Sequence, residues 1–140
     1  MVNNLINVSQ FAGNPPPLEA TDAQRKIKGG PLYPAADVLA LAKQAHLIFW
    51  TKDCIKDAQD LGMDIPDAAG LVEEAVLHGR FKGSEWCLQA PGGPWAACDA
   101  YDIRRLEWIA AAHKEMPQEY YLKFGINKAG RLLLLVSCHV

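Results

Sequence analysis

The sequence predicts an α+β fold in which N-terminal helices pack on an antiparallel-rich β-sheet with a C-terminal hairpin. Three observations lead there. Helical periodicity is confined to the stretch between Pro34 and Gly79, the second half holds short apolar runs rich in strand formers, and Gly and Pro punctuate those runs. A chain of 140 residues suffices for one domain with a real core and is short for two. We therefore divide it into an extended arm, residues 1–30, and a single domain, residues 31–140.

The arm reads as irregular, lying on the surface or partly disordered. Pro15, Pro16 and Pro17 cannot enter a helix interior or a central strand, and Gly29, Gly30 and Pro31 mark a break. Between them, Asp22 to Lys28 has room for one helical turn. Pro34 to Ala45 is a helix with Pro34 at its first position and Val38, Leu41, Ala42 and Ala45 on one apolar stripe. His46 to Trp50 is too short and apolar for periodicity to separate helix from strand. Thr51 caps a helix over Lys52–Leu61 that Gly62 closes. Asp64 or Pro66 opens another, with Ala69, Val72, Val76 and Leu77 along one side and its end at Gly79.

Glu85 to Gln89 is a strand, APGGP a turn, and Ala97 to Arg104 a second strand. Leu106 to Glu115 is helical by propensity, with a strand as the alternative. Tyr120–Ile126 and Leu132–Cys138 are the clearest strands, joined as a hairpin by Asn127, Lys128, Ala129 and Gly130. Trp86, Trp95 and Trp108 read as core.

Composition narrows the function classes. A net charge of −2 is not the basic balance that grips long nucleic acid by charge alone, so RNA contact requires a local cationic cluster. No apolar run approaches the length of a membrane span and the start lacks a secretory pattern, which makes the cytoplasm the expected compartment. Cys54, Cys87, Cys98 and Cys138 are scattered and read as reduced, buried thiols. His46, His78, His113 and His139 show no metal-ligand spacing, and no phosphate-loop or nucleophile-elbow motif occurs; neither metal nor cofactor is expected.

What remains is a metal-free acid–base set near the terminal hairpin. With Leu122, Phe124, Leu134 and Val136 toward the core, strand alternation puts Tyr121, Lys123, Ser137 and His139 on the open surface. Arg80, Lys82, Arg104 and Arg105 stand close to strand ends and can join them. RNA cleavage without a metal needs a base for the 2′-OH, a cation or donor for the phosphorane, and an acid for the departing 5′ oxygen. Histidine serves as either acid or base, Lys and Arg grip phosphate, and aromatic rings stack on unpaired bases.

Three stretches carry a family resemblance: FWTKDCIKDAQDLGMD (Phe49–Asp64), Arg80 to Ser84 with WAACDAY (Trp95–Tyr101), and Gln118–Phe124 with Leu132–His139. In order and spacing the chain resembles the MqsR family of toxin ribonucleases, which have a RelE-like fold, from about Tyr33 onward. The resemblance implies sequence-selective cleavage of mRNA without a cofactor, with the ribosome as a further candidate partner. It also implies inhibition by a cognate MqsA-like antitoxin. It maps the family's active-site lysine onto Lys82, its strand tyrosine onto Tyr121 and its C-terminal lysine onto His139, giving Lys82, Tyr121 and His139 as catalytic candidates. Arg80, Arg104, Arg105 and Lys123 are the RNA-binding candidates. The family's catalytic glutamine falls on Cys98, a departure that favours a rival reading, a catalytically weakened RelE-like protein that binds RNA or protein. A second rival is an enzyme using Cys98 or Cys87.

Overall fold

A computed structural model describes residues 5–140, so residues 1–4 of the expected arm lie outside it. In chain order the elements are α1 (Asp22–Arg25), β1 (Lys26–Ile27), α2 (Ala35–Lys43), β2 (Leu47–Phe49), α3 (Lys52–Leu61), α4 (Ile65–His78), β3 (Arg80–Leu88), β4 (Trp95–Ile109), β5 (Lys114–Ile126) and β6 (Leu133–His139). The strands form one sheet in the order β1-β3-β4-β5-β6-β2, antiparallel throughout except that β2 runs parallel to β6. The α+β class and the antiparallel-rich sheet are therefore as the sequence predicts.

Local chemistry sets the helix limits. Thr51 accepts the Cys54 N–H at the start of α3, and Gly62 ends it in the left-handed conformation at φ 65°, where a glycine has no Cβ to clash. Asp64 and Asp67 cap α4 reciprocally. Pro34 differs from expectation: at φ −58° and ψ 138° it is extended and stands just before α2 instead of inside it.

One helix expected from propensity is a strand. β4 continues to Ile109 and β5 begins at Lys114, with only Ala110–Ala112 forming a 3-10 turn at the tip. The pairs from Arg104↔Glu119 to Ile109↔Lys114 extend a two-stranded ribbon past the rest of the sheet. Cross-strand bonding outweighs helix propensity here: Tyr120 donates its hydroxyl to Glu107, which also receives Arg105 Nε at 2.6 Å. Trp108, expected in the core, lies on this ribbon with 63% of its surface exposed. Trp86 and Trp95 are buried.

The main core lies between the sheet and helices α2 to α4, where Val38, Leu71 and Val72 meet Leu122, Phe124 and Leu135. Tyr101 stacks on Phe124 within it. The phase of β6 differs from the expected alternation. Lys123 pairs with Ser137 and Phe124 with Leu135, so Val136 is an extra, bulged residue. Leu133, Leu135 and Cys138 face the helices, while Leu134 and Val136 join Trp50, Cys87 and Cys98 in a small cluster of their own.

The arm is tied down along its described length. Val8 donates to the Trp95 carbonyl and Gln10 to that of Ile126. Among the described residues no helix is long and apolar enough to cross a membrane. All four cysteines are free and buried, with the Cys54 and Cys138 sulfurs 3.5 Å apart. We expect a bulky thiol reagent to leave all four unmodified until the protein unfolds. A single fast-reacting thiol in the native state, measured by mass shift, would revive the cysteine-dependent reading.

Candidate active site

Strand register assembles a row of chemically active side chains on the face away from the helices. Arg80 pairs with Asp102, Asp102 with Tyr121, and Tyr121 with His139, one residue from each of β3 to β6. Residues directly opposite one another point to the same side of a sheet, so the four stand abreast. The rings of Tyr121 and His139 stack with centroids 5.3 Å apart. Asp102 holds Lys82 Nζ at 3.5 Å and Arg80 Nη2 at 3.7 Å.

Lys82 reaches this row because β3 is irregular there. Phe81 pairs with Tyr101 and Gly83 with Ala100, leaving Lys82 as the extra residue of a bulge. Gly83 at φ 139° adopts a conformation that side-chain-bearing residues rarely take, which makes it the residue that permits the bulge. Beside the row, Lys123 Nζ lies 3.0 Å from Glu85 and 5.8 Å from the centre of the Tyr121 ring. A cleft of about 270 Å³ opens here, lined by Lys26, Lys28, Lys82, Glu85 and Tyr121 among others.

The electrostatics fix protonation states. Burial raises the Tyr121 pKa against the opposing pull of Lys123, so the phenol is a hydrogen donor at neutral pH. Burial alone would favour neutral Lys123, but the Cys87 sulfur and the Glu85 carboxylate outweigh it and keep the ammonium charged.

The same upward shift extends to Tyr33, Tyr101 and Tyr120, so every tyrosine in the chain is affected. For Tyr120, burial and the bond to Glu107 raise the value from 10.0 to about 12. A folded-state phenol that holds its proton above the unfolded value contributes stability that is whole below that value and is lost as pH climbs through the folded one. We expect alkaline titration followed at the phenolate absorbance to show no tyrosine ionising at its ordinary pH in the native protein. Tyr120→Phe should flatten the fall in stability between pH 10 and about 12. A phenolate appearing below that window would contradict the packing.

The structure thus brings Lys82, Tyr121, Lys123 and His139 together, with Arg80 tied to them through Asp102. Arg104 lies further along β4, on an adjoining cleft that also touches Arg80, Asp102 and Glu119. Arg105 does not belong to the group. Strand alternation turns it to the helix side, where it binds Glu107 at 2.6 Å and Glu74 at 3.2 Å over the Tyr120 ring. It stands apart from the other RNA-binding candidates and braces the ribbon on α4.

Cys98 is wholly buried in the cluster of Cys87, Leu134 and Val136, so the position to which the resemblance assigns a glutamine presents no group to a ligand. Among the described residues no three His, Cys, Asp or Glu side chains converge as metal ligands.

Sequence reasoning missed Asp102, Glu85, Lys26 and Lys28. Asp102 had a usable signal, because it is in strand phase with Arg104. The alternation of Lys26, Ile27 and Lys28 was likewise visible, but only pairing with β3 gives it meaning.

The fold and this face define a class: an α+β domain with a lysine-rich cleft on the side of its sheet away from the helices, at whose edge Tyr121 stacks on His139. The chain matches no family model, and no curated protein or solved structure shows significant similarity to it.

Proposed function

We propose that the chain is a metal-independent endoribonuclease toxin of the MqsR-like, RelE-fold kind, acting in the cytoplasm on mRNA and held silent by a cognate MqsA-like antitoxin. The observation that carries this reading is the stacked pair of Tyr121 and His139, with Tyr121 lining one cleft with Lys82. In the proposed reaction His139 takes the proton of a ribose 2′-OH, whose oxygen bonds to the adjacent phosphorus. The bond from phosphorus to the 5′ oxygen breaks, and the protonated Tyr121 hydroxyl supplies that oxygen's proton. Lys82 and Arg80 steady the added negative charge on the phosphorane. The products are a 2′,3′-cyclic phosphate and a 5′-hydroxyl.

The test is purified protein on mixed-sequence RNA in excess chelator. Cleavage with cyclic-phosphate ends, blocked by a 2′-deoxy nucleotide at the scissile position, is expected. Cleavage that needs added metal, or that proceeds on the deoxy substrate, would overturn the mechanism.

A second reading has its own support. Asp102 already occupies both Lys82 and Arg80, and buried Cys98 replaces the residue that the family uses. Those features suit a scaffold that retains RNA binding and has lost cleavage. Binding of the same RNA without any product would select it.

A further inference from the structure

We propose that the N-terminal arm builds a second phosphate subsite, with Lys26 and Lys28 holding the RNA strand on the β1 side of the scissile phosphate. This rests on the nuclease reading and deepens it, since it makes the substrate a single strand of several nucleotides instead of an isolated linkage.

The first support is placement. Lys26 and Lys28 line the same cleft as Lys82 and Tyr121. Lys26 stands opposite Glu85, on the face that carries Lys123, while Ile27 between them turns inward against Trp86 and Trp95. From β1 to β6 the sheet order gives four inter-strand steps, about 19 Å at the usual strand spacing. A strand laid across that distance meets the arm lysines, then Lys82, then Tyr121 and His139.

The second support is availability. Lys82 and Lys123 are engaged with Asp102 and Glu85. Lys26 and Lys28 are exposed and, among the described residues, form no ion pair. A phosphate can bind them without displacing a carboxylate.

The third is rigidity. The segment is fixed at both ends. Before it, Thr21 and Gln24 form a reciprocal cap on α1, and the Arg25 guanidinium lies 5.2 Å over the Trp95 ring. After it, the buried Asp99 carboxylate accepts the Leu32 and Tyr33 N–H groups and the Ser84 hydroxyl. A backbone already held in place has little freedom left to lose on binding, so this arm favours association more than a mobile tail of equal charge would.

The experiment measures fluorescence anisotropy of a labelled, 2′-O-methylated ten-nucleotide RNA against salt concentration, using the full chain. Lys26→Gln with Lys28→Gln is expected to weaken binding about tenfold at low salt and to reduce the slope of log K on log salt by about 1.4, two single-strand phosphate contacts. Lys43→Gln, on α2, serves as the control and should change neither; thermal melting verifies that both variants fold. A double variant that binds like the Lys43→Gln protein, while wild type binds and cleaves unmodified RNA, overturns the subsite alone. A wild-type protein that neither binds nor cleaves overturns the subsite and the nuclease reading together.

Discussion

Tyr121→Phe combined with His139→Ala is expected to lower RNA cleavage by a factor on the order of 10³, the scale of general acid–base catalysis by positioned side chains. The phenylalanine keeps the ring against its neighbour and removes only the hydroxyl, so its loss reports proton donation and not packing. Because the two rings are stacked, the pair should behave as one unit: the double variant should fall little below the worse single one. RNA affinity should stay within a few fold, since the cations of the cleft remain. Single-turnover cleavage together with anisotropy separates the two quantities. A double variant within tenfold of wild type would remove the chemistry assigned to this face, as would growth arrest that survives both substitutions on expression in cells.

Asp99→Ala is the structural counterpart and should destabilise the protein by about 3 kcal/mol, lowering Tm by about 10 °C. The carboxylate is 1% exposed and takes three donors that form no other hydrogen bond among the described residues: two backbone N–H groups at the arm's end and the Ser84 hydroxyl. Removing it strands those donors in a buried site, which costs more than the bonds themselves contributed. The effect should extend to function by freeing the arm, so proteolysis near Gly29 and Gly30 should accelerate and RNA affinity fall with it.

The pH dependence has a definite sign. Burial raises the Asp99 pKa despite the Ser84, Leu32 and Tyr33 bonds that oppose it, so the folded state holds this proton more firmly than the unfolded chain. Its contribution is therefore whole below the ordinary carboxyl range and declines as pH rises through the raised value. The gap in stability between wild type and Asp99→Asn should widen on acidification toward pH 4 and narrow above it. A gap that widens with rising pH would mean that the three donors outweigh burial.

Much of the scaffold was legible because its signals are local. A capping side chain and a closing glycine define α3 and α4 locally, whereas α2 has neither and was placed by its apolar stripe, beginning one residue after Pro34. The stretch after Arg105 was not legible. Leu106 to Glu115 contains good helix formers, and only its pairing partners and the tie from Tyr120 to Glu107 make it a ribbon. Arg104 and Arg105 show the same limit on a smaller scale: as neighbours they look equivalent, yet one faces the adjoining cleft beside Arg80 and the other α4.

By itself the sequence determined the α+β class, the limits of α3 and α4 and the sharing of one strand face by Tyr121 and Lys123, because each follows from signals within a single element. The tertiary structure alone decided that Asp102 and His139 stand beside Tyr121, that bulges at Lys82 and Val136 reset which side chains face away from the helices, and that the arm returns to bring Lys26 and Lys28 to the cleft. Strand order and register come from contacts between residues far apart in the chain, and no local pattern encodes them.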